Sequence, residues 1–165
     1  MDFRVPRMDP LESRAWLALV GTAELLPTAL DAELQADAGM THFEFIVLTV
    51  LRHSKGLRMS HLAAATNATL PRLSKVVARL DARGLVSREA EEGDGRAVTV
   101  RLTGDGRRAL VRATPGHIAL VRSLVIDRLT PEQLEALASA LEPVVAALDP
   151  QRRFGPASSA KTDPR

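Results

Sequence analysis

The stretch TNATLPRLSKVVARLDARGLV, residues 66–86, decides the fold of this chain. From Leu70 onward it has helical periodicity: Leu73, Val76, Val77 and Leu80 fall at i, i+3, i+4 and i+7 and make one apolar face. Arg72, Lys75, Arg79 and Arg83 fall at i, i+3, i+7 and i+11. At about 100° per residue they form a narrow cationic stripe on another side of the same helix. Pro71 is tolerated in the first turn, and Gly84 supplies the stop. A short helix capped by Ser60 precedes the stretch and runs to about Thr66. A helix held down by one face and lined with cations on another suits a DNA major groove. The same stripe on an unrelated protein is a solvated basic face, so the helix alone does not decide between the two.

The segment that follows, VSREAEEGDGRAVTVRLT at residues 86–103, does decide. Val98, Val100 and Leu102 alternate with Thr99 and Arg101, the period of a half-buried strand. Gly93, Asp94 and Gly95 supply a turn, so the segment reads as a two-stranded hairpin with a charged tip. Asp94 can pair with Arg96 and hold it outward, and an arginine on a narrow tip fits the negative potential of a minor groove. Short helix, turn, basic helix and hairpin together make a winged helix-turn-helix. The fold class expected is mainly α with a small β-wing, the winged unit being flanked by helices from both chain ends.

The blocks SHLAAATN at residues 60–67, ATLPRLSKVVARL at 68–80, GLV at 84–86 and DGR at 94–96 resemble the MarR family of bacterial transcription regulators. The D-x-R wing followed by a strand, Leu102-Thr103 and a helix is the most family-specific element, and the likeness spans about residues 9–148. Pro115-Gly-His and Leu129-Thr-Pro-Glu-Gln resemble a subgroup common in high-GC actinobacteria. The resemblance implies a two-fold homodimer through the end helices, binding to double-stranded DNA, and a pocket between those helices and the DNA lobe that takes small aromatic acids or phenolic compounds.

Size and composition fit this reading. The 165 residues allow one domain with a modest core, and aromatics are scarce: one Trp, four Phe and no Tyr. The net charge of +2 is uninformative, but its distribution is not. Residues 55–103 hold nine Lys or Arg against five Asp or Glu, residues 9–53 two against seven, and residues 104–150 five against six. Basic charge therefore collects on the winged unit and at the termini. With no cysteine, disulfides, thiolate metal sites and the thiol peroxide sensing of one family branch are excluded. No apolar run approaches the roughly 20 residues of a membrane span, and MDFRVPRMDPLES lacks a signal-peptide core. The expected location is the cytoplasm, at the nucleoid when bound to DNA.

Capping boxes at Asp9/Glu12, Thr41/Glu44 and Thr130/Gln133 mark three helix starts. The first helix is expected from Pro10 to about Asp37, with a kink at Pro27, and the second from Thr41 to near Gly56. A long helix after Thr103 is expected to be interrupted or kinked at Pro115-Gly116, and the last runs to about Leu148. The division expected is a flexible start at 1–8, one domain at 9–148, and a polar, disordered tail at 149–165. Within the domain, 9–38 and 104–148 are dimerisation helices and 41–103 the DNA-binding lobe.

The candidate DNA contacts are Ser60, Thr69, Arg72, Ser74, Lys75, Arg79, Asp94 and Arg96, with His61 beside Ser60 and Arg83 near phosphate or solvated. The candidate effector pocket comprises Trp16, His42, Phe45, Arg52 and His117; a Trp or Phe at helical spacing is more commonly core. The four histidines show no metal-ligand spacing, and no phosphate loop, nucleophile elbow or paired-carboxylate motif is present, so neither a metal, a cofactor nor catalysis is expected. The leading function is a dimeric, sequence-specific regulator on an inverted repeat, in most cases a ligand-released repressor. The alternatives are a constitutive DNA-binding regulator and a winged-helix module that binds protein.

Overall fold

The computed structural model describes residues 5–91 and 94–154, and the side chains of 91–97 lie outside that description. Helix α1 (Pro10–Ala38) is followed by α2 (His42–Arg52), β1 (Leu57–Arg58), α3 (Met59–Ala65), α4 (Leu70–Ala82), β2 (Val86–Glu91) and β3 (Asp94–Leu102). Helix α5 (Gly104–Leu124), a 3-10 turn (Ile126–Arg128) and α6 (Pro131–Leu148) are the remaining elements among the described residues. The mainly helical fold with a small sheet agrees with the sequence-based expectation.

The caps explain the helix starts. Asp9 Oδ1 accepts from the Leu11 and Glu12 backbone N–H groups at 2.7 and 2.8 Å, and Glu12 returns an acceptor to the Asp9 N–H. Thr41/Glu44 and Thr130/Gln133 form the other two boxes. Gly39, at φ 58°, ends α1 in a left-handed cap.

Three expectations need correction. Helix α3 starts at Met59, and its N-cap position, Arg58, makes no side-chain cap bond, so Ser60 is not the cap. Leu57 and Arg58 instead form a third strand against Val100 and Thr99, giving the order β1-β3-β2 where two strands were expected. Helix α5 is continuous through Pro115 and Gly116, so the interruption expected there is not present. Pro115 is exposed, and at Gly116 an added Cβ would sit 2.6 Å from Glu33 Oε1 and 2.8 Å from Asp37 Oδ2. Glycine there lets α5 pass close to the carboxylates of α1, so packing overrides local helix-breaking propensity.

The segment Gly104–Arg128 is also long and apolar enough, by length and composition, to cross a membrane. Scattered arginines, Arg112 and Arg122 among them, interrupt its apolar sequence. Ala109, Leu110, Ala113 and His117 bury one side of the helix, and α5 packs on α1 and α2.

The core lies beneath α4. Leu73, Val77 and Leu80 are fully buried with Leu48, Leu62, Val86, Val100 and Leu110. Each such side chain contributes at most about 1.5–3 kcal/mol by removal from water. The anchored face of α4 therefore fixes which of its sides remains outside.

Candidate nucleic-acid interface

Helix α4 is set by its own sequence. Thr69 caps it, its Oγ1 accepting the Arg72 N–H at 3.5 Å, and Pro71 occupies the first turn. With Leu73, Val76, Val77 and Leu80 buried, Thr69, Pro71, Arg72, Ser74, Lys75 and Arg79 are all exposed. Lys75 lies on the side opposite the core, with Ser74 and Arg79 on its two flanks. The cationic stripe is not uniform. The Arg72 guanidinium sits 4.2 Å from the centroid of the Phe43 ring, a cation–π arrangement. Arg79 Nε donates to Glu44 Oε1 at 3.2 Å, and Arg83 NH1 reaches Glu44 Oε2 at 3.5 Å. Arg83, expected near phosphate or solvent, thus has an internal partner, and so has Arg79.

The wing is an antiparallel pair in the register Val86↔Leu102 to Ala90↔Val98, with an irregularity at Ala90/Glu91. Arg101 Nε pairs with Glu89 Oε2 across it at 2.9 Å, and its NH1 donates to the Lys55 carbonyl, tying the wing to the α2–β1 turn. Asp94 and Arg96 belong to β3, but their side chains, and the ion pair expected between them, lie outside the described residues. Ser60 and His61 are exposed on α3, a helix of seven residues.

Of the five pocket candidates, three come together. His42 and His117 stack with centroids 5.7 Å apart, and the Phe45 ring is 4.4 Å from His117. The His42 backbone N–H donates to Asp31 Oδ1 at 2.8 Å. Burial, and then the neighbouring His42, hold His117 below the usual histidine range; burial lowers His42 too, partly offset by Asp31. Nearby on α1, burial and then Asp37 push Glu33 above the usual carboxylate range. Glu33 Oε1 and Oε2 and His117 Nδ1 are shielded from solvent without a hydrogen-bond partner. Trp16 and Arg52 are elsewhere. Trp16 is half exposed, fifteen residues before Asp31 on α1, roughly 22 Å along the axis. Arg52 is exposed at the far end of α2 from His42, roughly 15 Å away. His42 borders a cleft of about 430 Å³ between α1, α2 and α4, with Asp31, Phe43, Ile46 and Arg72.

Comparison with known proteins draws on the same elements. The family model described as MarR family matches residues 38–97. A MarR family transcriptional regulator from Streptomyces coelicolor, Sco3205, solved in complex with DNA, is 40% identical. The match covers 86% of this chain and 93% of that one, with a TM-score of 0.79. The chain belongs to the MarR family. A second MarR family regulator of S. coelicolor, AbsC, is 34% identical over 89% of this chain and 100% of its own, with a TM-score of 0.80. The HTH-type transcriptional repressor Rv2887 of Mycobacterium tuberculosis is 34% identical over 98 residues, 59% of this chain and 70% of the repressor.

Two features of this MarR-family chain escaped the sequence. Asp31, Phe43 and Arg72 line the cleft, yet none was a pocket candidate: Asp31 and Arg72 reach it only by tertiary contact, and Phe43 directly follows His42 in the chain. Glu44 was read only as a capping residue. Its partners Arg79 and Arg83 are 35 and 39 positions away, and no local pattern signals the pairing.

Proposed function

We propose that this chain is a sequence-specific DNA-binding transcription regulator that acts as a homodimer on an inverted repeat. The observation that carries the reading is α4: one face wholly buried, the exposed surface presenting Ser74 and Lys75, with Thr69 and Arg72 at its start. Lys75 and Arg72 suit guanine edges, Ser74 and Thr69 suit base edges or phosphate, and Ser60 suits phosphate. Arg96 on the wing, oriented by Asp94, enters the adjacent minor groove. Two copies related by a two-fold place their α4 helices about one DNA turn apart. Residues 9–38 and 104–148 form the dimer, residues 41–103 the DNA lobe, and the regulator works in the cytoplasm.

The cleft beside His42 and Arg72 supports ligand-responsive repression. It sets the Arg72 cation and an imidazole beside the Phe43 ring, with the Asp31 carboxylate on the same wall held by the His42 N–H, and an aromatic acid fits it through Arg72. A ligand there shifts DNA affinity only if it prefers one spacing of the two α4 helices, and such couplings are typically about 1–3 kcal/mol.

The test is selection of duplexes from a random pool, followed by footprinting and light scattering. An inverted repeat protected by a dimer is expected. A monomer that binds as tightly, or no enriched sequence, rejects the reading. Titration of aromatic acids into the complex, with Trp16 fluorescence as a second signal, tests the ligand. If neither signal moves at millimolar concentration, a constitutive regulator replaces the ligand-released one.

A further inference from the structure

We infer that Glu44 is a positioning residue for DNA recognition: it holds Arg79 and Arg83 away from phosphate and fixes α4 against the first turn of α2. The inference rests on the DNA-binding reading above. Glu44 is 3% exposed. Its Oε2 accepts the Thr41 N–H at 2.9 Å and faces Arg83, while Oε1 accepts from Arg79. A carboxylate buried to this degree needs such partners. The guanidiniums do not need Glu44 in the same way. Their side chains are 55% and 40% exposed, so DNA phosphate is an available competitor. Each cation held by Glu44 is one fewer for sequence-independent attraction, which favours reading by the outward face of α4 over non-specific binding.

The neighbours of Glu44 give its position wider meaning. Four consecutive residues of this turn each contact another helix: His42 bonds Asp31 of α1, Phe43 lies under Arg72 of α4, Glu44 holds Arg79 and Arg83 of α4, and Phe45 meets His117 of α5. This turn is thus the joint between α1 and α5 on one side and α4 on the other. Glu44 is its only charged clasp on α4 among the described residues.

Glu44→Gln tests the role. Glutamine still accepts the Thr41 N–H and suits the third position of the helix, but carries no charge. Binding is read by anisotropy across a salt series, with the duplex that wild type selects from a random pool and a scrambled duplex of equal length. Thermal melting runs in parallel. The salt slope is expected to steepen by about 0.9 for each guanidinium that takes up a phosphate, and the selected-to-scrambled affinity ratio to fall. An unchanged slope and ratio, in a protein that melts like wild type, overturns the inference. Should Glu44→Gln fail to fold, the double variant Arg79→Gln/Arg83→Gln answers from the other side. It is expected to keep the wild-type slope, and a slope shallower by about 0.9 or more shows that these arginines already bind phosphate. A wild-type protein that binds neither duplex overturns the DNA-binding reading, and this inference with it.

Discussion

In α4, Leu73, Val77 and Leu80 have no measurable exposure; in α6, no residue is buried to that degree, and only Leu134 and Leu141 are half-buried. Leu137, Val144, Val145 and Leu148 of α6 face outward, as do Leu11, Trp16, Leu19 and Leu25 of α1. Both regions have helical apolar periodicity, but the winged lobe satisfies its apolar face within one chain and the end helices do not. Apolar pattern alone therefore marks what must be covered and leaves open by what. In the lobe the cover is the chain itself. At the ends it is, in the reading proposed above, a second copy.

The largest test of this contrast pairs two substitutions. Leu80→Ala should lower the unfolding free energy by about 2–5 kcal/mol in urea melts, whatever the protein concentration. Leu137→Glu should leave the lobe folded by circular dichroism and shift the mass from light scattering towards a monomer. If Leu137→Glu melts like Leu80→Ala and keeps its mass, the two regions form one core and the contrast is broken.

Glycines sharpen the same comparison. A Cβ on Gly106 would lie 2.0 Å from the Leu85 carbonyl oxygen, where the start of α5 meets the turn before the wing. Gly106→Ala should cost about 1–3 kcal/mol by overpacking. Around Gly21 of α1 nothing lies within 4 Å, so Gly21→Ala should raise helix stability by about 0.5–1 kcal/mol. A loss of dimer in Gly21→Ala would locate a close helix crossing at that residue.

On the DNA side, Lys75→Ala should weaken binding to the selected duplex by about 1–3 kcal/mol and relax preference at one base position. Arg96→Ala should lower the salt slope by about 0.9 without changing major-groove preference, and Asp94→Ala should mimic it in part. If Arg96→Ala binds like wild type, the wing is structural only.

The smallest effect expected is in pH dependence. Burial depresses the folded-state pKa of His42 and His117, so the stability of their neutral packing is fully present above the unfolded value of about 6.5. It is lost as pH falls from there through their folded values. Glu33 acts in the opposite sense: its raised folded pKa adds stability below about 4.5 that is lost as pH rises through the folded value. Between pH 7.5 and 5.5, wild type should lose stability, and His117→Phe should lose less. Parallel curves for the two proteins would show that the stacked imidazoles do not titrate with folding.

Much of this molecule could be read directly. The boxes at Asp9, Thr41 and Thr130, the buried face of α4 and the alternation of β3 depend on residues within a turn or a strand of one another, where side-chain chemistry alone decides. Elements that depend on distant partners could not. The two residues of β1 have no strand signature of their own and are strand only because β3 is beside them. Pro115-Gly116 looks like a break until the carboxylates of α1 are brought against it. The stack of His42, Phe45 and His117 drew on candidates chosen one by one, while Trp16 and Arg52, chosen on the same grounds, ended on other parts of the surface.

The continuity of α5 has a mechanical consequence. Its 21 residues span roughly 31 Å, with the cap residue Thr103 directly joining the wing at one end and the 3-10 turn leading into α6 at the other. A helix broken in two would absorb a small rearrangement at the break. A continuous helix transmits it: pivoting by 5° about the α6 end sweeps the wing end through roughly 3 Å, about a tenth of the 34 Å pitch at which successive major grooves present themselves.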